Sequence, residues 1–205
     1  MSRRAPVVLA AMLLLPAAAM AQQEGEHLYI NFKTMLPGWT LLPTQRGRDV
    51  ELTEIVPPGQ NQQNWTDQVA VNILYGPPKM TPEDLLTQRV QLIQRECEET
   101  QTGPAAPGID NGYETALRAV ACTKAKRWGQ GEVSLFKAWR GRDAMYLVAR
   151  SWRGPPFAKN ERPVSLATTA QWLALIQGIV LCDTRDPKRP CPETAANQAT
   201  GKKPE

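Results

Sequence analysis

The residues with most chemical reach in this 205-residue chain are four cysteines, one histidine and six tryptophans, several of them beside arginine. Cys182 and Cys191 stand nine positions apart around the polar turn DTRDPKRP. That spacing is open to half of a metal site, a redox pair or a staple. A structural zinc site takes four deprotonated ligands, and the only histidine, His27, is remote from both cysteines in sequence. Redox pairs are spaced more tightly, as C-x-x-C. An even cysteine count in an oxidising compartment favours disulfides. The expected pairs are Cys97–Cys122 and Cys182–Cys191, contributing about 3.5 and about 2.5–3 kcal/mol on the chain-entropy account. Metal ions and cofactors are not expected.

No catalytic residue is assigned. The chain has no G-x-S-x-G elbow, H-E-x-x-H pair, Walker loop or G-x-G-x-x-G run. His27 stands close to the start of the expected mature chain, where fraying is common. Glu51 and Glu54 have opposite strand parity and so point to opposite faces. Glu96, Glu98 and Glu99 read as a solvated helix end.

Binding residues are a different matter. Tryptophan and arginine adjoin at three strand ends, as Arg127-Trp128, Trp139-Arg140 and Trp152-Arg153, with Arg142 close by. Residues 22–117 carry 6 basic and 13 acidic side chains, a net of −7, whereas residues 118–153 carry 9 and 2, a net of +7. Two readings follow: an acidic segment packed on a basic one, or a patch for an anionic partner. Guanidinium with aromatic suits phosphate or carboxylate through stacking and bidentate bonds. Trp65, at the end of the amide-rich run GQNQQNW, either plugs the end of a sheet or stacks on a polar ligand.

The compartment follows from the N-terminus. Arg3 and Arg4 precede an apolar run, and Ala19-Met20-Ala21 has the form of a signal-peptidase site. Residues 1–21 are expected to be removed, leaving a periplasmic or secreted protein with no transmembrane segment. Residues 22–191 are expected to form one domain. The tail, residues 192–205, has almost no large apolar side chain and is expected to be disordered.

The elements that must position these residues are legible from period and punctuation. Strands are expected at about 27–32, 49–56 and 67–75, each alternating in polarity. Thr81-Pro82-Glu83-Asp84 opens a helix with Leu86, Val90, Ile93 and Cys97 on its inner stripe. Residues 102–112 read as a Gly/Pro loop. A three-strand meander follows, at about 113–126, 132–140 and 143–152, with short turns. A second helix is expected at about 163–181, with Leu166, Ala170, Leu173, Ile176 and Val180 facing inward. The expected fold class is α+β: a single antiparallel sheet with two helices packed on one face.

In this element order the chain resembles the Mog1/PsbP-like fold. The loop runs VPPGQNQQNWT and CDTRDPKRPC are similar to those of small exported proteobacterial proteins of unknown function. The resemblance spans Leu28 to Cys191, and the fold it implies mostly hosts binding and assembly roles. The function expected is therefore a non-enzymatic binding or assembly protein of the bacterial envelope. It would contact an anionic partner through the basic Trp/Arg sheet: an envelope protein, a glycan or an anionic lipid headgroup, and not nucleic acid. The alternatives are an accessory subunit of an envelope complex, or a carboxylate- or metal-dependent envelope enzyme.

Overall fold

A computed structural model describes residues 24–192. The expected signal peptide, and the expected disordered tail beyond Pro192, lie outside the described residues. The chain is mostly β. In order, the elements are β1 (Glu26–Tyr29), α1 (Phe32–Met35), β2 (Thr40–Leu41), β3 (Gln45–Arg46), β4 (Val50–Val56), β5 (Asp67–Tyr75) and α2 (Pro82–Glu96). There follow β6 (Thr100–Thr102), β7 (Ala106–Asp110), β8 (Tyr113–Cys122), β9 (Gly131–Arg140), β10 (Ala144–Gly154), α3 (Leu166–Gln177) and β11 (Val180–Asp183).

Nine strands form one sheet in the order β2-β4-β5-β10-β9-β8-β6, with β3 also on β4 and β7 also on β8. All of its pairings are antiparallel. β1 and β11 make a separate two-stranded antiparallel ribbon. This corrects the expectation of a single sheet with two helices on one face: among the described residues there are two sheets and three helices.

The helices also lie on both faces. On one, Leu85, Leu86 and Val90 of α2 pack on Ala116, Val120, Phe136, Ala138, Met145, Leu147 and Ala149. On the other, Trp172 and Ile176 of α3, with Ile179 and Leu181, pack on Val69, Val71, Leu135, Trp139, Tyr146 and Val148. β10 is buried along almost its whole length because both of its parities are apolar or paired. Each face then needs its own cover.

Two local differences have identifiable causes. The predicted loop at 102–112 contains β7, which pairs with β8 from Ala106↔Leu117 to Asp110↔Tyr113. Asn111 and Gly112, both at positive φ, form its two-residue turn, the Asn-Gly signature of a tight hairpin. Pro107 is tolerated because β7 is an edge strand. The second helix is shorter than expected, and Leu166, placed on the inner stripe by periodicity, is 71% exposed. Trp172 and Ile176 carry its buried face instead, and Val180 belongs to β11.

α2 starts where its sequence says: the Thr81 hydroxyl accepts from Asp84 N–H and the Asp84 carboxylate accepts from Thr81 N–H, a reciprocal cap. The disulfides join Cys97 to Cys122 and Cys182 to Cys191. They fit an oxidising, extracytoplasmic compartment. No helix among the described residues is long and apolar enough to cross a membrane.

Candidate functional site

A cleft of about 390 Å³ opens between the C-terminal half of α2 and the sheet beneath it. Its existence follows from side-chain size. Ala70, Ser134, Ala149 and Ser151 all face α2 at the centre of the sheet, and small residues there leave space that Arg89, Leu92 and Ile93 do not fill. Ser134 and Ser151 lie opposite each other, their hydroxyls 2.7 Å apart and buried. Phe136 and Val120 add apolar floor.

One end of the cleft is built from a stacked arginine. Arg153, near the end of β10, lies opposite Glu132 and donates to its carboxylate at 3.3 Å. The guanidinium sits 3.8 Å from the Trp65 ring centre and 4.8 Å from that of Trp128. Its Nε is buried without a hydrogen-bond partner. Trp65 is buried and closes the sheet end, whereas Trp128 is 44% exposed. Leu92, 51% exposed, also lines the cleft.

Another part of the lining is a carboxylate held by amides. Glu54 accepts from Gln68 at 2.6 Å, Gln62 at 2.8 Å and Gln45 at 3.1 Å. The rest of the amide-rich loop bonds to itself: Gln60 and Thr66 exchange two bonds, and Asn61 and Asn64 cap neighbouring backbone N–H groups. Gln62 is thus the loop amide that reaches the cleft.

The other face of β10 repeats the arginine motif. Arg150 lies between Trp39 and Trp172, 4.9 and 4.8 Å from their ring centres, and bonds Asp67 at 2.7 Å. Burial lowers its pKa and the Asp67 carboxylate opposes that shift.

Of the eight residues expected to bind, Trp65, Trp128 and Arg153 meet at the cleft, with Arg127 exposed beside them. The other four are elsewhere. Trp139 is fully buried on the α3 face, its indole N–H bonded to Asp110. Trp152 is on that face too, against Phe157. Arg140 and Arg142 lie at the far end of the meander, about 25 Å along the strands. The expected continuous basic patch is therefore divided, and its charge is largely paired with acids from outside residues 118–153. Lys124 bonds Glu98, Lys137 bonds Asp110, Arg140 bonds Glu114, Arg142 bonds Asp183 and Arg150 bonds Asp67. Arg127 has no ion pair among the described residues.

At that far end a groove is lined by Tyr113, Arg140, Arg142 and Arg189. Desolvation pushes the Tyr113 hydroxyl up to about 12, and it has no hydrogen-bond partner by geometry. Beside the groove, the buried Asp183 carboxylate is held by Arg185 and Arg142. Its pKa is lowered, by the Arg185 side-chain bond first, against desolvation. A carboxyl with a depressed folded pKa stabilises above its unfolded value, about 3.9, and loses that contribution as pH falls through the folded value. Asp183→Asn should flatten the acid limb of stability below about pH 4, read as urea midpoints between pH 3 and pH 6. An unchanged limb would show that Asp183 does not contribute to it.

Glu54, Gln68, Ser134 and Ser151 were not among the expected site residues. Strand parity places them on one face, but nothing local says that this face borders a cleft. The cluster that sequence distance hid is His27 with Cys182 and Cys191. β1 and β11 pair His27↔Cys182, and the imidazole rests on the disulfide.

No family model matches the chain, and no curated protein matches it. Among solved structures it is similar to the protein of unknown function PA94 from Pseudomonas aeruginosa, a candidate regulator. The match has 12% identity and a TM-score of 0.40 over 69% of this chain and 96% of that one.

Proposed function

We propose that this protein is a non-catalytic binding protein of the bacterial envelope, acting in the periplasm or outside the cell, and that its ligand occupies the α2 cleft. The observation that carries the reading is the half-exposed Trp128 ring, held beside the Arg153–Trp65 stack over a partly apolar floor. A cleft of this size falls in the range of small-ligand sites, which combine apolar lining with a few placed polar groups. The chemistry favours a glycan: the apolar face of a sugar ring stacks on Trp128, and its hydroxyls meet Gln62, Glu54 and Glu132. Binding is favoured over catalysis because Glu54 is occupied by three amide donors and Glu132 by Arg153. Neither carboxylate is poised for proton transfer.

A second reading keeps the anionic partner, a lipid headgroup, at the Arg140–Arg142–Arg189 groove. The unpartnered Tyr113 hydroxyl favours it, and the carboxylates already on those arginines oppose it.

One experiment separates them. Soluble oligosaccharides from the envelope, and vesicles containing anionic lipid, are titrated against wild type, Trp128→Ala and Arg140→Ser/Arg189→Ser. Arg142 is left in place because it holds Asp183. Trp128→Ala should weaken oligosaccharide binding about tenfold or more with little change in melting temperature. Vesicle binding lost only in the arginine variant would replace the first reading with the second. Wild type that binds neither probe would overturn both.

A further inference from the structure

We propose that His27, Cys182 and Cys191 form a zinc site that opens when the disulfide between the two cysteines is reduced. The site lies on the β1–β11 ribbon, which packs on the sheet face opposite the cleft, and is independent of the proposed ligand. The ring Nε2 of His27 is 3.6 Å from the sulfur of Cys182 and 3.8 Å from that of Cys191. With zinc–sulfur bonds of about 2.3 Å and zinc–nitrogen bonds of about 2.0–2.1 Å, a tetrahedral site separates nitrogen from sulfur by roughly 3.5 Å. Those separations are therefore already close to a metal-bound arrangement. The sulfurs alone must move apart, to roughly 3.8 Å.

Three further features favour this assignment. His27 Nδ1 donates to the Gly25 carbonyl at 3.0 Å, which leaves Nε2 as the accepting nitrogen of the neutral ring. A histidine that ligates a metal usually donates from its other nitrogen in this way. Both cysteines are buried, so the two thiolate ligands would lie away from bulk solvent while the fourth position is left to a single water. The loop between them is also held by bonds that do not depend on the disulfide. Asp183 N–H donates to Arg189 C=O, and the Asn111 amide donates to the carbonyls of Leu181 and Pro190. Reduction would leave the two thiols as neighbours.

The chemistry balances with a dithiol as reductant. The dithiol gives two electrons and two protons to the disulfide and becomes a disulfide itself. Zinc then displaces both thiol protons to solvent and takes two thiolates and Nε2, with water as fourth ligand.

The test uses the full mature chain, reduced with a phosphine without oxygen, desalted, and titrated with zinc and with cobalt(II) as a spectroscopic probe. The reduced protein should bind one metal per chain, and cobalt should show thiolate charge-transfer and tetrahedral bands. The oxidised protein should bind none. His27→Gln should weaken binding by about tenfold or more. Cys182→Ser/Cys191→Ser, which retains the Cys97–Cys122 pair as an internal control, should abolish it. Circular dichroism follows the fold throughout. Metal binding that survives His27→Gln unchanged would overturn the proposal. So would reduced wild type that takes up no metal, or that unfolds and is not restored by zinc.

Discussion

Replacing Trp139 with alanine is expected to destabilise the protein by about 3–5 kcal/mol, the range for removing a large buried aromatic. Trp139 is 0% exposed and packs in the cluster with Tyr146, Trp172 and Ile176. Its indole N–H donates to Asp110, and Lys137 lies 4.5 Å from its ring centre while bonding the same carboxylate at 2.7 Å. Truncation leaves a cavity between sheet and α3 that these neighbours cannot fill, since Lys137 is tied to Asp110. For a chain of this size the melting temperature should fall by about 6–20 °C. Trp128→Ala, at a half-exposed ring, should lose about 1 kcal/mol or less. Chemical denaturation of the two variants gives the comparison. Equal losses would mean that the division between core tryptophan and cleft-lining tryptophan is wrong.

The second large effect belongs to the buried arginine on the same face. Asp67→Ala should cost about 3 kcal/mol because it leaves the Arg150 guanidinium buried between Trp39 and Trp172 without its counter-ion. The remaining bonds, to the carbonyls of Gln68 and Ser151, do not neutralise the charge. Arg150→Met should cost less, about 1 kcal/mol, since its chain still fills the slot between the two rings and the partly exposed Asp67 can hydrate. The double variant should resemble Arg150→Met rather than the sum of the two single changes. A double-mutant cycle from urea unfolding measures this. Additive losses would show that the pair does not act as a unit.

The same residues show why parts of this protein are legible in its sequence. Alternation over residues 49–56 and 67–75 marks strands because side-chain direction has period two whatever lies above or below. Thr81-Pro82-Glu83-Asp84 marks a helix start because the capping groups are within four residues of the N–H groups they satisfy. The Asn111-Gly112 turn was equally local, and the Gly and Pro residues around it obscured the strand it closes.

Parity says which residues share a face but not what covers that face. Trp128, Trp139 and Trp152 look alike in sequence, each beside an arginine at a strand end, yet one is half-exposed at the cleft, one is sealed under α3 and one lies against Phe157. The +7 of residues 118–153 becomes a set of ion pairs because Asp67, Glu98, Asp110, Glu114 and Asp183 reach it from outside that segment. His27 meets Cys182 across 155 residues of chain, a contact no local spacing encodes. Local chemistry by itself determined the strands, the helix cap and the supply of cysteines for two staples. Only the tertiary structure decided that both sheet faces are covered, where the cleft opens, and which charged and aromatic side chains have partners, because those depend on long-range packing that brings distant segments onto a common surface.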